Sequence, residues 1–159
     1  MSRGKIGVCK PARNLYTIMM TICVVDGQGG KIGSIIIAKL KERLKEDIEV
    51  IALGTNSAAT QSMMKARANR GASGENAIAV TVRKADIIIG TMNVLMANSM
   101  LGELTPRMAQ AIAESTATKY VLPVTQENVV VVGKGEYSIP QMVGLLVDMI
   151  EKETDRCAK

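Results

Sequence analysis

The sequence contains one glycine-rich segment whose spacing is typical of a phosphate-binding loop. It reads VVDGQGGKIG over residues 24–33, with a glycine at every third position from Gly27 to Gly33. Glycines at a strand-to-helix turn let the backbone bend tightly and approach a ligand, and free N–H groups at the helix start favour a phosphate. The candidate ligand-binding residues of this segment are Gly27, Gln28, Gly29, Gly30, Lys31, Ile32 and Gly33.

The same segment leaves two alternatives open. A tight turn between strand and helix needs similar glycines without any ligand, and no Gly-Lys-Ser/Thr follows that would make a Walker A loop. Asp26, directly before the turn, can hold Mg²⁺ or a ribose hydroxyl, or can simply initiate the turn. Lys31 either contacts a phosphate or is solvated.

Further polar residues follow the other predicted strands. Thr55 and Asn56 end the second strand, and the segment NRGASGEN places Arg70, Glu75 and Asn76 in a turn-rich loop. Thr55 and Asn56 can hydrogen-bond a ribose or phosphate, Arg70 can pair with a phosphate, and the last two can orient a ligand. The alternative is that asparagine and glycine only form turns here.

The chain has no histidine, which excludes a Ser-His-Asp triad, a Cys-His pair and a His-liganded zinc. The three cysteines form no C-x-x-C pair, so we predict no metal site and reduced thiols. Asp26 and Glu75 remain as candidate catalytic acids or bases. Glu103 is expected at the surface. The glycine segment is therefore first a binding signal and only second a catalytic one.

Hydrophobic patterning predicts which elements position these residues. Short apolar runs predict strands, and apolar residues at helical spacing predict amphipathic helices. The predicted strands are 21–25, 49–53, 86–90, 119–124 and 128–132, and the predicted helices are 32–44, 57–68, 75–85, 93–101, 105–114 and one from 138. Residues 75–85 also alternate as a strand does; a helix is favoured because the next parallel strand needs a crossover.

Alternating strands and helices indicate an α/β fold, a doubly wound, mostly parallel sheet of about five strands. Only three residues separate the last two predicted strands, so the final strand is expected to be antiparallel or a continuation of its predecessor. We expect one domain over 19–153, a frayed tail over 154–159, and a flexible basic arm or a non-native start over 1–18.

Charge and composition limit the classes of partner and the cellular location that we expect. Residues 1–18 contain four basic residues and no acidic one, so most of the net charge of +5 lies there and does not indicate a nucleic-acid partner. No apolar run approaches the ~20 residues of a membrane span, and no cleavage site follows the apolar stretch near the start. We expect a cytoplasmic protein. Methionines at 92, 96 and 100 predict a helical stripe, and residues 95–104 are the candidate surface of a homodimer.

The glycine segment resembles the phosphate loop of extended short-chain dehydrogenases, epimerases and dehydratases, which bind NAD(P). This resemblance implies NAD or NADP as candidate cofactors. It covers about 30 residues, and two features of that group are missing. The second strand ends without the acidic residue that binds ribose hydroxyls. None of Tyr16, Tyr120 and Tyr137 has a lysine four residues on, as the catalytic Tyr-x-x-x-Lys pair requires.

Over about residues 20–150 the chain resembles a small bacterial family of uncharacterised Rossmann-like proteins. The stretches that carry this resemblance are VVDGQGGKIG, IALGTN, NRGASGENAI, ADIIIG and ANSMLGELTPRMAQAI. It implies a Rossmann-like fold and a family start near Met19 or Met20, and it implies no activity. The sequence thus predicts a nucleotide- or dinucleotide-binding protein with a sensor or accessory role. The alternative is a small His-independent enzyme, a transferase or atypical NAD(P)-dependent oxidoreductase, that acts on a phosphorylated or nucleotide substrate.

Overall fold

A computed structural model describes residues 19–125 and 128–157 of the chain. The predicted arm over 1–18 lies outside the described residues. Within them five strands form one sheet in the order β3-β2-β1-β4-β5, and every neighbouring pair is parallel. The strands are β1 (Met20–Asp26), β2 (Ile48–Gly54), β3 (Arg70–Ser73), β4 (Ile87–Thr91) and β5 (Thr118–Leu122).

In the described part of the chain, five α-helices alternate with these strands. They are α1 (Lys31–Leu44), α2 (Ser57–Lys65), α3 (Glu75–Thr81), α4 (Pro106–Glu114) and α5 (Ile139–Cys157), with short 3₁₀ turns at Val82–Lys84 and Met92–Leu95. Two helix starts follow from local chemistry. The Asn56 side chain accepts from the Ala59 N–H and the Thr105 hydroxyl accepts from the Met108 N–H, so both satisfy amides that begin a helix.

The sheet is covered on both faces, as its continuous apolar strands predict. Alternate residues of β1 point to opposite sides. Ile22 and Val24 pack in the core shared with α1, α2 and α5, whereas Cys23 and Val25 pack in the core shared with α3 and α4. These contacts define a Rossmann-like, doubly wound α/β fold. None of the described helices is long and apolar enough to cross a bilayer.

Several predicted elements need correction. The predicted loop at Asn69–Gly74 contains the strand β3, and residues 128–132 form no strand. The sheet therefore contains no antiparallel strand among the described residues. Residues 93–101 form a 3₁₀ turn and further turns rather than a helix, so the methionines are not a helical stripe. The last helix continues past 153, through Cys157. The predicted helix after Gly74 is confirmed.

The segment 128–132 contains valines that are not buried in the core. Val130 and Val132 are 87% and 93% exposed, and Val132 lines a cavity together with the sheet-edge strand β5. β-branched residues favour strands because they pack well on a half-buried pleated surface, not because the backbone alone prefers it. Here that burial is missing, which explains why a run of high strand propensity forms no strand.

The strand order places one crevice at a defined position. β1 pairs with β2 on one side and with β4 on the other, so the chain direction across the sheet reverses at β1. In open α/β sheets, ligands bind outside the carboxyl ends of the strands at such a reversal. The glycine segment begins at the carboxyl end of β1, which puts it at this point.

Candidate functional site

A cavity of about 260 Å³ lies at the carboxyl ends of β1 and β4. The glycine segment forms one side, from Asp26 to Ile32, and Thr91, Asn93 and Met100 line the other. Of the residues predicted from sequence, Gly27, Gln28, Gly29, Gly30, Lys31 and Ile32 all line this cavity. The predicted binding segment and the reversal point of the sheet thus coincide.

The turn before α1 depends on Gly30. Its φ of 67° is left-handed, and a Cβ at this position would lie 2.5 Å from the Ala59 carbonyl oxygen. The Gly30 N–H donates to the Gly27 oxygen at 2.9 Å and closes the turn. Gly29 differs, because a Cβ there would meet no atom within 4 Å. Gly30 is therefore needed for the fold, whereas Gly29 leaves open space at the loop surface.

The start of α1 has amides available for an anion. The N–H groups of Gly29 and Lys31 donate to no acceptor among the described residues. They lie beside the cavity and at the positive end of a 14-residue helix. Together they can bind one negatively charged or hydroxyl oxygen.

Asp26 ties the strand to the helix. Its carboxylate accepts from the Gly27 N–H at 2.8 Å and from the Gly33 N–H at 2.7 Å, and the residue is buried. Burial raises the pKa of Asp26 above its usual 3.8, although hydrogen bonds from Gly33, Gly27 and Ile32 oppose that rise. The carboxylate thus already occupies helix-start amides, including that of Gly33. No group of acidic or cysteine residues in the described part of the chain can hold a metal ion beside it.

Glu103 is the residue that sequence reasoning missed. Its Oε2 accepts from the Gln28 N–H at 2.7 Å, from Thr55 Oγ1 at 2.7 Å and from Asn56 Nδ2 at 3.1 Å. Burial acts to raise the pKa of Glu103, but these hydrogen bonds outweigh it, and the pKa lies below its usual 4.5. Glu103 was expected at the surface, yet its carboxylate joins the glycine segment to the end of β2.

A short segment over 96–104, here called the strap, carries Glu103 to this position. Asn98, Met100 and Leu101 have positive φ, and the Asn98 N–H donates to the Leu104 oxygen at 2.7 Å. A Cβ at Gly27 would lie 2.5 Å from the Met100 sulfur, so the strap packs directly on the glycine segment. Sparse backbone conformations of this kind cluster at functional sites. No apolar pattern in the sequence signals such a segment.

Thr55 and Asn56, the residues predicted to hydrogen-bond a ribose or phosphate, lie beside the glycine segment but do not line the cavity. Asn56 Nδ2 donates to the Gln28 oxygen at 3.0 Å, and both side chains donate to Glu103. The carboxylate of Glu103, which belongs to a distant part of the chain and does not line the cavity either, thus links these two residues to the glycine segment.

The other predicted residues lie elsewhere. Arg70 begins β3, at the opposite end of the sheet from the cavity, and pairs with Glu49 at 2.8 Å. Glu75 accepts from the Thr105 hydroxyl at 2.6 Å and from Arg107 at 3.2 Å, which links the starts of α3 and α4. Asn76 accepts from the same arginine. Arg70, Glu75 and Asn76 do not line the cavity, so Glu75 does not share a site with Asp26.

A larger cavity of about 590 Å³ lies on the other side of β5, between residues 131–135 and α5. Its lining is mostly apolar, with Leu145 and Met149 among its walls. Burial, and then the hydrogen bond and charge of Glu153, raise the pKa of Tyr120 inside it. No residue of the glycine segment reaches this cavity. The smaller cavity carries the polar chemistry and is the better candidate.

A parallel sheet in this order, with a glycine turn at its reversal point, defines a Rossmann-like protein with a cavity at the carboxyl ends of β1 and β4. Comparison with protein families identifies it further. A family described as domain of unknown function (DUF3842) matches residues 21–155, and the chain belongs to that family. No curated protein and no solved structure matches the chain significantly.

Proposed function

We propose that the chain binds a nucleotide, or a dinucleotide such as NAD(H) or NADP(H), in the cavity at the carboxyl ends of β1 and β4. The observation that carries this proposal is the coincidence of three features: a left-handed glycine turn, two unused amides at the start of α1, and a cavity beside them. This combination suits a phosphate next to a sugar.

The size of the cavity limits what it encloses. Small-molecule sites usually measure roughly 300–1,000 Å³, and this cavity of about 260 Å³ lies just below that range. This volume has room for a phosphate and part of one nucleoside. The remainder of a dinucleotide would extend across the end of β2, towards Thr55 and Asn56.

A binding role, as a sensor or accessory protein, ranks above catalysis. Both oxygens of Asp26 already accept amide hydrogens, and Glu75 lies outside the cavity. One observation supports the enzyme alternative: Asp26 lines the cavity with a raised pKa, as acid–base residues often do. An Asp26→Asn variant that retains nucleotide binding but loses product formation would favour that alternative.

Gly29 offers the sharpest test because its substitution should leave the fold intact. An aspartate at this position adds a negative charge beside the unused amides, where a Cβ meets no atom within 4 Å. We expect Gly29→Asp to weaken binding of NADH, NADPH or ATP by about tenfold or more, because like charges repel. Gly29→Ala is the matched control and should bind as the natural chain does. Isothermal titration calorimetry measures both.

Two results would contradict the proposal. The first is that none of these nucleotides binds the natural chain. The second is that Gly29→Asp binds as tightly as Gly29→Ala, which would place the nucleotide at another surface.

We also propose that the protein is bacterial and cytoplasmic and forms a homodimer. The thiol of Cys23 is fully buried, and burial raises its pKa to about 12, which is consistent with a reduced cysteine.

A further inference from the structure

The end of β2 lacks the carboxylate that usually binds a ribose in this type of sheet. β2 ends at Gly54, and Thr55 and Asn56 follow it without an acidic residue. The structure supplies a carboxylate from another part of the chain. Glu103 reaches across from the segment between β4 and α4, and its Oε2 accepts from both of these side chains and from the Gln28 N–H.

We propose that Glu103 recognises the ribose of the bound nucleotide, so that the site selects nucleotides with a free 2′-hydroxyl over those with a 2′-phosphate. The proposal rests on the proposed function and names its ligand class. In Rossmann-type sites an acidic residue at the end of the second strand accepts the ribose hydroxyl. Glu103 does not line the cavity, but it provides the same group at the end of β2 from a different element and contacts Gln28, which does line the cavity.

The two carboxylate oxygens of Glu103 have different surroundings. All three hydrogen bonds from the described residues converge on Oε2, and none of these residues donates to Oε1. Oε1 is therefore the oxygen available to accept a ribose O–H in this proposal. A 2′-phosphate has no such proton to donate once it is ionised, and its charge repels the carboxylate. The lowered pKa of Glu103 keeps that charge in place at neutral pH.

The strap holds Glu103 in position before any ligand arrives. The Glu103 N–H donates to the Met100 oxygen and the Leu104 N–H donates to the Ser99 oxygen, so the strap is hydrogen-bonded within itself. The buried Ser99 hydroxyl donates to the Asn93 oxygen at 2.6 Å and anchors it to the wall of the cavity. A recognition group that is ordered in advance loses less entropy on binding.

The arginine that follows the strap does not offset this selectivity. Arg107 would favour a 2′-phosphate if its guanidinium faced the end of β2. Its two terminal nitrogens instead donate to Glu75 and Asn76 at the start of α3. The charged group directed at Thr55 and Asn56 is thus the negative Glu103.

Binding of NADH and NADPH by the full chain tests the proposal, because the two differ only in the 2′-phosphate. Titrations followed by nicotinamide fluorescence give both dissociation constants. We expect the natural chain to bind NADH about tenfold or more tightly than NADPH. Glu103→Gln should bring the two constants to within about threefold of each other, mainly because NADPH binds more tightly once the repulsion is removed. Glu46→Gln, on an exposed side chain at the opposite end of the sheet, makes the same charge change and should keep the natural preference.

The ratio of the two constants separates recognition from a structural role. A variant that merely loosens the site weakens NADH and NADPH alike and leaves the ratio unchanged. Equal affinity of the natural chain for both nucleotides would overturn the assignment of Glu103 while the proposed function stands. A preference that survives Glu103→Gln would overturn it in the same way. Failure of either nucleotide to bind would overturn both proposals.

Discussion

Adjacent glycines in the glycine segment have different structural roles. Gly30 lies against the backbone of α2, with a left-handed φ, whereas Gly29 faces open space. The first is fixed by the close approach of two backbones. No neighbouring atom excludes a side chain at Gly29, so the space beside it is open to a ligand.

We expect Gly30→Ala to lower the free energy of unfolding by about 2–4 kcal/mol, because it combines a left-handed backbone with a clash at the Ala59 carbonyl. Gly29→Ala should be neutral or stabilising by up to ~1 kcal/mol, since alanine restricts the unfolded chain more than glycine does. Urea denaturation of the two variants checks this pair. Equal stability losses would show that the backbone at Gly30 relaxes freely.

At this scale the sequence predicts part of the site. The glycine spacing correctly indicates a turn at Gly30, because the rule that demands glycine there is local. Glu103 cannot be predicted in the same way. It reaches Thr55 only because a strap with positive φ at Met100 and Leu101 turns back over the sheet, and those residue types do not favour that conformation.

The junction of β1 and α1 depends on one buried carboxylate. Asp26 ends the strand and accepts the Gly33 N–H in the first turn of the helix, so it fixes the angle at which the helix leaves the sheet. Because burial raises its pKa, the folded chain holds the Asp26 proton more tightly than the unfolded chain does.

The pH dependence of stability follows from that difference. The contribution of Asp26 to the free energy of unfolding is greatest below the ordinary carboxyl pKa of 3.8 and decreases as the pH rises through its raised folded value. We therefore expect the stability of the natural chain, relative to Asp26→Asn, to fall as the pH rises from the ordinary carboxyl pKa of 3.8 through the raised folded pKa. Urea denaturation of both proteins across this range measures it. A difference that grows with pH would mean that the folded pKa is lowered instead.

Elements with their own apolar face are predicted well, and elements defined by a neighbour are not. α4 (Pro106–Glu114) matches the helix predicted over 105–114, and β1 and β2 follow continuous apolar runs. β3 has the sequence Arg-Gly-Ala-Ser, which contains no apolar run, and it becomes a strand by pairing with the edge of β2. The valines after Asn128 show the converse. Their residue type favours a strand, but the segment forms none because these side chains are not buried in the core.

For the whole molecule, the proposed homodimer has a defined contact to test. Within the candidate surface over 95–104, Leu101 is 98% exposed at the tip of the strap. We expect Leu101→Glu to convert the dimer to a monomer, because a charge would be buried without a partner. Light scattering after size-exclusion chromatography measures the mass.

Leu145→Glu provides the control. Leu145 is half exposed beside the larger apolar cavity, away from the strap, and its substitution should leave the dimer intact. If Leu145→Glu is monomeric while Leu101→Glu remains dimeric, the dimer contact lies on α5 rather than on the strap. A monomeric natural chain would contradict the dimer itself.

We expect the valines of the segment 128–132 to affect how the protein behaves in concentrated solution. Sheet edges with an adjacent uncharged, β-branched segment are the usual starting points of amyloid-like aggregation. In this chain that segment is exposed in the folded state, so aggregation can begin without unfolding. Lys134 and Glu136 follow directly and are the charges that oppose stacking of one molecule on the next.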